Sequence, residues 1–212
     1  MKLLLPLLLL SALATAQAPW EAPLRTQIEA FDSIDTKDEL VAATGPVERI
    51  AAANPDAWLP NYYAAHLNLQ QHWVAGEDGC EPCLEKVDAF LSAAEAAENN
   101  SEVLTLRASY YQAMLQLKPM RAPYYGPKAG SLLEEAVAAD PTNPRAASLL
   151  GQNLYYTPRM FGGGADKAVP HLERAVELFA AEATDDERDD LLPTWGADRA
   201  HRMHGEAVAA VE

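Results

Sequence analysis

The chain has 212 residues, 49% of them hydrophobic, and carries 31 acidic against 16 basic side chains for a formal net charge of −15. A surface this acidic, with no Lys/Arg cluster to offset it, repels phosphate backbones and argues against a nucleic-acid partner. The length suits one domain or one short solenoid. The charge itself has two readings, solubility in salty surroundings or complementarity to a basic partner, and the first is the simpler.

The N-terminus reads as an export leader. Lys2 precedes the apolar run Leu3 to Leu10, and the small-residue stretch Ala14-Thr15-Ala16-Gln17-Ala18 follows. These are the charged, apolar and cleavage regions of a secretory signal peptide. Cleavage is expected after Ala16, because a cut after Ala18 would leave Pro19 first. The expected organisation is therefore a leader over 1–16 and a single domain over 17–212. The apolar run is far shorter than the roughly 20 residues of a spanning helix, and no Cys lies beside the cleavage site to take a lipid. The mature protein is expected in the periplasm or secreted, without a membrane span. Loss of Lys2 would move its net charge to −16.

Downstream, helical signals dominate and strand signals are nearly absent. Residues 23–53 are expected to hold two shorter helices, interrupted near Gly45-Pro46. Trp58 to Ala75, Glu81 to Ala97 and Ser101 to Leu117 follow as long helices. Pro127 to Ala139 is closed by Asp140-Pro141, and its partner begins after Asn143-Pro144, with Pro in the first turn where it fits best. That helix runs to about Tyr156 and stops at Pro158 and Gly162-Gly163-Gly164. Another spans about Ala165 to Ala181 and gives way to the acidic run Asp185 to Asp190. A last helix follows Trp195-Gly196.

Self-similarity then decides the fold class. Ala129, Leu133, Ala136 and Pro141 carry the small–large–small–Pro signature of the second helix in a tetratricopeptide (TPR) unit. Ala168, Leu172 and Ala175 repeat it, Val87, Leu91 and Ala94 repeat it less fully, and Ala43, Val47, Ile50 and Pro55 less still. Positions i, i+4 and i+7 share one helix face, and small residues there let a neighbouring helix approach. Leu150-Gly151 supplies the large–small pair expected on a first helix. Ala94, Ala136 and Ala175 are spaced by 42 and 39 residues, longer than the roughly 34 of a standard unit. The excess falls in Lys118 to Gly126 and Pro158 to Gly164. The expected fold is all-α, a TPR-like α-α superhelix of about three to four helix pairs with a C-terminal capping helix.

Four stretches resemble an uncharacterised family of exported bacterial TPR-like proteins. They are Glu48-Arg49-Ile50 leading to Trp58-Leu59-Pro60; Pro119-Met120-Arg121; Asn143-Pro144-Arg145 through Gly151-Gln152-Asn153-Leu154-Tyr155-Tyr156 to Phe161-Gly162-Gly163-Gly164; and Pro193-Thr194-Trp195-Gly196. The resemblance implies an α-α repeat and brings no activity with it. Cys80 and Cys83 lie outside its pattern.

Cys80-Glu81-Pro82-Cys83 lacks the flanking strand of a thioredoxin-like site, the following His of a haem attachment and the further ligands of a zinc site. A local disulfide is expected in an oxidising compartment, with unpaired thiols or a redox or metal role as alternatives. Gly162-Gly163-Gly164 lacks the strand and the Gly-Lys-Ser/Thr ending of a phosphate-binding loop. His201 and His204 are a lone pair on the last helix, and His66, His72 and His171 are scattered. No catalytic motif, metal site or cofactor is expected, and the chain is not expected to be an enzyme.

In a TPR stack the first helix of each unit lines a concave groove. Counting from Gly151 places Tyr62, His66, Ser109, Gln112, Arg145, Gln152, Tyr155 and Tyr156 at or near groove-lining positions. The insertion carrying Arg121, Tyr124 and Tyr125 is expected to fold over one end. Tyr and Arg make strong interface anchors, although a TPR tyrosine packs between helices as readily. The expected function is a non-enzymatic scaffold holding a protein segment or peptide. The alternative is a periplasmic binder of a small organic anion, associated with a solute transporter, with Arg121 or Arg145 as counter-charge.

Overall fold

The computed structural model describes residues 18–31, 34 and 36–212. The expected leader over 1–16 lies outside them. Among the described residues there are nine α-helices and no strand: α1 Glu21–Ile28, α2 Lys37–Ala53, α3 Trp58–Val74, α4 Glu81–Ala97, α5 Ser101–Leu117, α6 Ala122–Ala139, α7 Pro144–Tyr156, α8 Ala165–Glu182 and α9 Ala197–Ala209. None is long and apolar enough to cross a membrane.

Local chemistry explains the helix starts. Thr36 and Glu39 form a reciprocal capping box on α2, so both orphan amides are satisfied at once. Asn100 caps α5 through the Val103 N–H at 3.0 Å. Asn143 caps α7 by accepting from Arg145 and Ala146 N–H at 2.9 and 3.1 Å, with Pro144 at the first helical position. On α4 the cap is the Cys80 sulfur, which accepts from Cys83 N–H. Cys80 and Cys83 are joined as a disulfide with their Cα atoms 5.2 Å apart.

Two boundaries differ from the sequence expectation. The helix α2 runs unbroken through Gly45-Pro46. Pro46 withdraws one amide from the ladder, but Thr44, Val47 and Ala51 on either side are buried, and tertiary packing outweighs the local cost of proline. These buried residues also correct the register: the inner face of α2 is Thr44, Val47 and Ala51, whereas Ala43 and Ile50 are only partly buried. The second difference is α6, which begins at Ala122 rather than Pro127. The insertion therefore shortens to a single 3₁₀ turn, Pro119–Arg121. Pro127 lies beyond the first turn of the helix and withdraws one amide from its ladder, as Pro46 does in α2.

Helices pack as α3 with α4, α5 with α6 and α7 with α8, and α9 lies on α8 as the cap. The first helices α3, α5 and α7 also touch in succession and form the inner row. The repeat positions read from the sequence are the seam. Val87, Leu91, Ala94, Ala129, Leu133, Ala136, Ala168, Leu172 and Ala175 are all fully buried. A side chain at Gly151 would place its Cβ 2.6 Å from Leu172 Cγ, so this glycine is what lets α7 close on α8. The loop before α8 turns sharply through Gly162 and Gly164, with φ of 87° and 119°. Gly163 between them is buried against the carbonyls of Thr157 and Leu154.

The feature with no counterpart in a plain TPR stack is the 183–196 segment. It leaves α8, crosses the inner row and returns to α9. Leu191 and Trp195 join the same apolar cluster as Tyr62, Tyr63 and Leu67 of α3.

Candidate functional site

The inner row is built from groups of opposite character. Tyr62, His66 and Gln70 of α3 face Glu102 and Ser109 of α5 and Arg145 and Gln152 of α7. The crossing segment lies over one end of this row and fixes it through a polar knot. Arg145 is 2% exposed. It donates from Nε to Glu102 at 2.7 Å, and from its two terminal nitrogens to Glu182 at 2.9 and 2.6 Å. Arg188 pairs with the same Glu182 at 3.3 Å and donates to the backbone carbonyls of Leu192 and Pro193. Two guanidiniums thus meet two carboxylates, and the knot is neutral. Buried charges of this kind are tolerated only when every one is paired, and removing one partner costs about 3–5 kcal/mol.

Aromatic groups continue the knot. Tyr62, fully buried, donates its hydroxyl to Glu102 at 3.0 Å and accepts from Trp195 Nε1 at 2.9 Å. Burial and the Glu102 charge push the Tyr62 phenol well above its ordinary pKa. His66 is stacked between Tyr62 and Trp195, with its ring 4.9 Å from the indole. Its Nδ1 is buried with no hydrogen-bond partner among the described residues. Burial, reinforced by the Arg145 charge, lowers its pKa to about 4. Tyr63 donates to the carbonyl of Leu191 at 2.9 Å. Outside the core, Arg25 of α1 grips Asp190 with two hydrogen bonds of 2.8 Å.

Trp195, His66 and Gln70 then divide the remaining concavity into two lobes. One, of about 540 Å³, lies between α3, α5, α7 and the start of α9, with Trp73, Ser109, Arg199 and Arg202 in its wall. The other, of about 660 Å³, opens toward α1 and α2 and is lined by Ile28, Phe31, Leu40, Tyr63 and Val74. Both have the size of a small-molecule site. The first lobe has unusual electrostatics for so acidic a chain. Arg199 donates to Gln152 at 2.8 Å, and neither Arg199 nor Arg202 has a carboxylate within ion-pair distance among the described residues. Burial lowers the Arg199 pKa, and Arg202 adds repulsion. Asp198 also borders the lobe.

The sequence-derived groove residues are therefore distributed over several places. His66 and Ser109 line the first lobe, and Gln152 orients Arg199 at its edge. Tyr62 and Arg145 belong to the inner row but are buried in the knot, facing the chain's own crossing segment. Gln112 is partly buried further along α5. Tyr155 packs with the cluster that joins α8 to α9, and Tyr156 beside it is 65% exposed. Arg121, Tyr124 and Tyr125 do not reach over the groove. Tyr125 is buried and stacked on Tyr111, while Arg121 and Tyr124 line a groove with Tyr110 and with Asp88 of α4. This follows from the early start of α6, which draws the insertion onto the outer side of α5. Cys80 and Cys83 stand apart from both lobes; beneath them His72 accepts from Cys80 N–H at 3.0 Å. No group of three or more metal-binding side chains gathers among the described residues.

Sequence reasoning missed Trp73, Trp195, Arg199 and Arg202 as site residues. Trp195 was within reach, since it stands in one of the four stretches that carried the family resemblance. The two arginines follow the acidic run and look like ordinary helix-surface residues until α9 is docked.

No protein-family model matches the chain, and no curated protein matches it. Among solved structures, a thermophilic TPR protein of Thermus thermophilus, TTC0263, superposes with a TM-score of 0.56 at 20% identity, over 90% of this chain and 91% of that one. That likeness shows the TPR-type fold. The HusA haemophore from Porphyromonas gingivalis superposes with a TM-score of 0.79 at 30% identity, over 92% of this chain and 96% of that one. With that identity sustained over almost the full length of both, the chain belongs to the TPR-like family of the HusA haemophore.

Proposed function

We propose that this chain is an exported, non-enzymatic carrier of haem or a closely related planar tetrapyrrole, held in the inner cleft beside Trp195. The observation that carries the reading is the pair of guanidiniums, Arg199 and Arg202, left without carboxylate partners among the described residues at the rim of an aromatic cleft in a protein of net charge −15. A tetrapyrrole needs flat apolar walls for its ring and cations for its propionates. Trp73 and Trp195 supply the first and the arginine pair the second. Kinship with a haemophore points to the same class of ligand.

This reading takes up the organic-anion alternative rather than the peptide groove. An extended peptide would run along the inner row, where Trp195 and Leu191 already sit. The counter-charge also moves, from Arg121 or Arg145 to Arg199 and Arg202, because Arg145 is consumed by Glu102 and Glu182.

The test is a haem titration of the mature protein, followed by the Soret band and by tryptophan fluorescence. A saturable one-to-one change is expected. Exposed charge pairs are worth up to about 1 kcal/mol each, so Arg199→Ala and Arg202→Ala should each weaken binding by roughly fivefold, Arg202→Ala without lowering the melting temperature. Absence of a saturable change in the wild-type protein would overturn the reading.

A further inference from the structure

The edge of the superhelix where the inner helices end carries an apolar and basic patch that the cleft does not use. The 3₁₀ turn Pro119–Arg121 follows α5, and the 3₁₀ turn Arg159–Phe161 follows α7. Because α5 and α7 are neighbours in the inner row, the two turns lie toward the same edge of that row, one repeat apart. At their tips Met120 is 93% exposed, Met160 83% and Phe161 73%. The equivalent turn after α3, Gly76–Asp78, carries Glu77 and Asp78 instead and bounds the patch. Isolated apolar residues on a surface need no explanation, but large ones concentrated on matching turns of adjacent repeats do.

The charge around these turns is equally uneven. Despite 31 acidic residues in the chain, there is none between Glu102 and Glu134 and none between Asp140 and Asp166. Both turns fall inside these acid-free windows. Arg121 is exposed and makes no ion pair among the described residues; Arg159 is 75% exposed and pairs at 3.6 Å with Asp166, itself exposed. Lys128 lies over the rings of Tyr111 and Tyr124, 5.3 and 4.6 Å from their centroids. Behind Met120, Tyr110, Tyr111 and Tyr124 line a shallow groove together with Asp88, whose carboxylate is paired with Arg107.

We propose that this edge is a docking surface for an anionic lipid bilayer. Met120, Met160 and Phe161 enter the interfacial layer, the tyrosines sit at headgroup level, and Arg121 and Arg159 meet lipid phosphates. Protruding apolar tips ringed by basic and aromatic residues match the layered chemistry of a bilayer interface. Charge selects the acidic surface: the basic patch is attracted at short range, while the rest of the acidic chain is turned away and screened. The contact is peripheral, which agrees with the absence of a spanning helix among the described residues. It uses a different face from the cleft and stands independently of the ligand proposed there.

The experiment is co-sedimentation of the mature protein with vesicles of phosphatidylcholine alone and of phosphatidylcholine mixed with phosphatidylglycerol. Binding to the anionic vesicles is expected to exceed binding to the neutral ones by at least about fivefold and to fall with added salt. The triple variant M120S/M160S/F161S and the double variant R121E/R159E should each lose most of that binding. All five side chains are exposed, so unchanged circular dichroism and melting temperature would exclude misfolding as the cause. Wild-type protein that stays in the supernatant with both vesicles overturns the proposal, as does a triple variant that sediments like wild type. Loss of an interaction with a purified membrane protein, without any vesicle binding, would make the edge a protein interface and equally overturn it.

Discussion

At the scale of single residues, the inner row is a set of polar groups whose protonation is dictated by neighbours distant in sequence. His66 is the clearest case. Its imidazole is enclosed by Tyr62 and Trp195, lacks a partner at Nδ1 and feels the Arg145 charge, so it stays neutral down to about pH 4. An unfolded chain would protonate the same group near pH 6.5. Between these values the unfolded state binds the extra proton, so stability is fully present above about pH 6.5 and declines as pH falls toward 4. The loss from this one group is about 3 kcal/mol, at 1.36 kcal/mol per unit. Denaturant melts across that range should show it, and His66→Phe, which keeps a flat ring, should remove this component. An equally steep pH dependence in the variant would put its origin elsewhere. Nothing near His66 in sequence announces this behaviour. The groove position could be counted from Gly151, but the covering residue, Trp195, arrives from the other end of the chain. Tyr62 and Arg145 were placed on the right helix faces for the same reason, and their burial was invisible for the same reason.

At the scale of elements, most of the fold was legible because it rests on local rules. Caps at Asn100 and Asn143 and buried small residues at Ala94, Ala136 and Ala175 mark helix starts and helix contacts without reference to distant residues. Prolines were the misleading signal. Pro46 and Pro127 lie inside α2 and α6, since a packed apolar face outweighs a single missing amide. Gly151 tests the repeat interpretation directly. A methyl group there would sit 2.6 Å from Leu172 Cγ and 3.1 Å from the Leu172 backbone nitrogen. Overpacking of this kind costs about 1–3 kcal/mol, so Gly151→Ala should lower stability by that amount. Leu172→Ala in the same chain should recover part of the methyl's cost, measured by a double-mutant cycle. Simple additivity of the two would mean that α7 and α8 do not meet at this point.

At the scale of the whole molecule, the crossing segment changes what kind of object the repeat array is. An ordinary solenoid contacts only its nearest neighbours and can unfold from either end. Here Tyr63 reaches Leu191 across a sequence separation of 128, and Arg25 reaches Asp190 across 165. The expectation is a single cooperative unfolding transition in the wild-type protein. Trp195→Ala removes the indole that stacks on His66 and donates to Tyr62, and it should split or broaden that transition by uncoupling α1–α3 from α7–α9. Coincident melting curves by circular dichroism and fluorescence in the variant would show that the coupling runs through the repeat interfaces alone.

The crossing segment also bears on how such a chain can change over evolutionary time. Repeat arrays commonly lengthen or shorten by whole units, because each added unit finds the same neighbour surface on which to stack. A unit inserted between α3 and α7 would move the crossing-segment partners of Tyr62, Tyr63 and Arg25 roughly a repeat's width away, farther than a hydrogen bond can follow. A unit removed would crowd them together. The number of helix pairs is thereby tied to the length of the 183–196 segment, so this chain can diversify at its turns and its surface far more readily than in its repeat count.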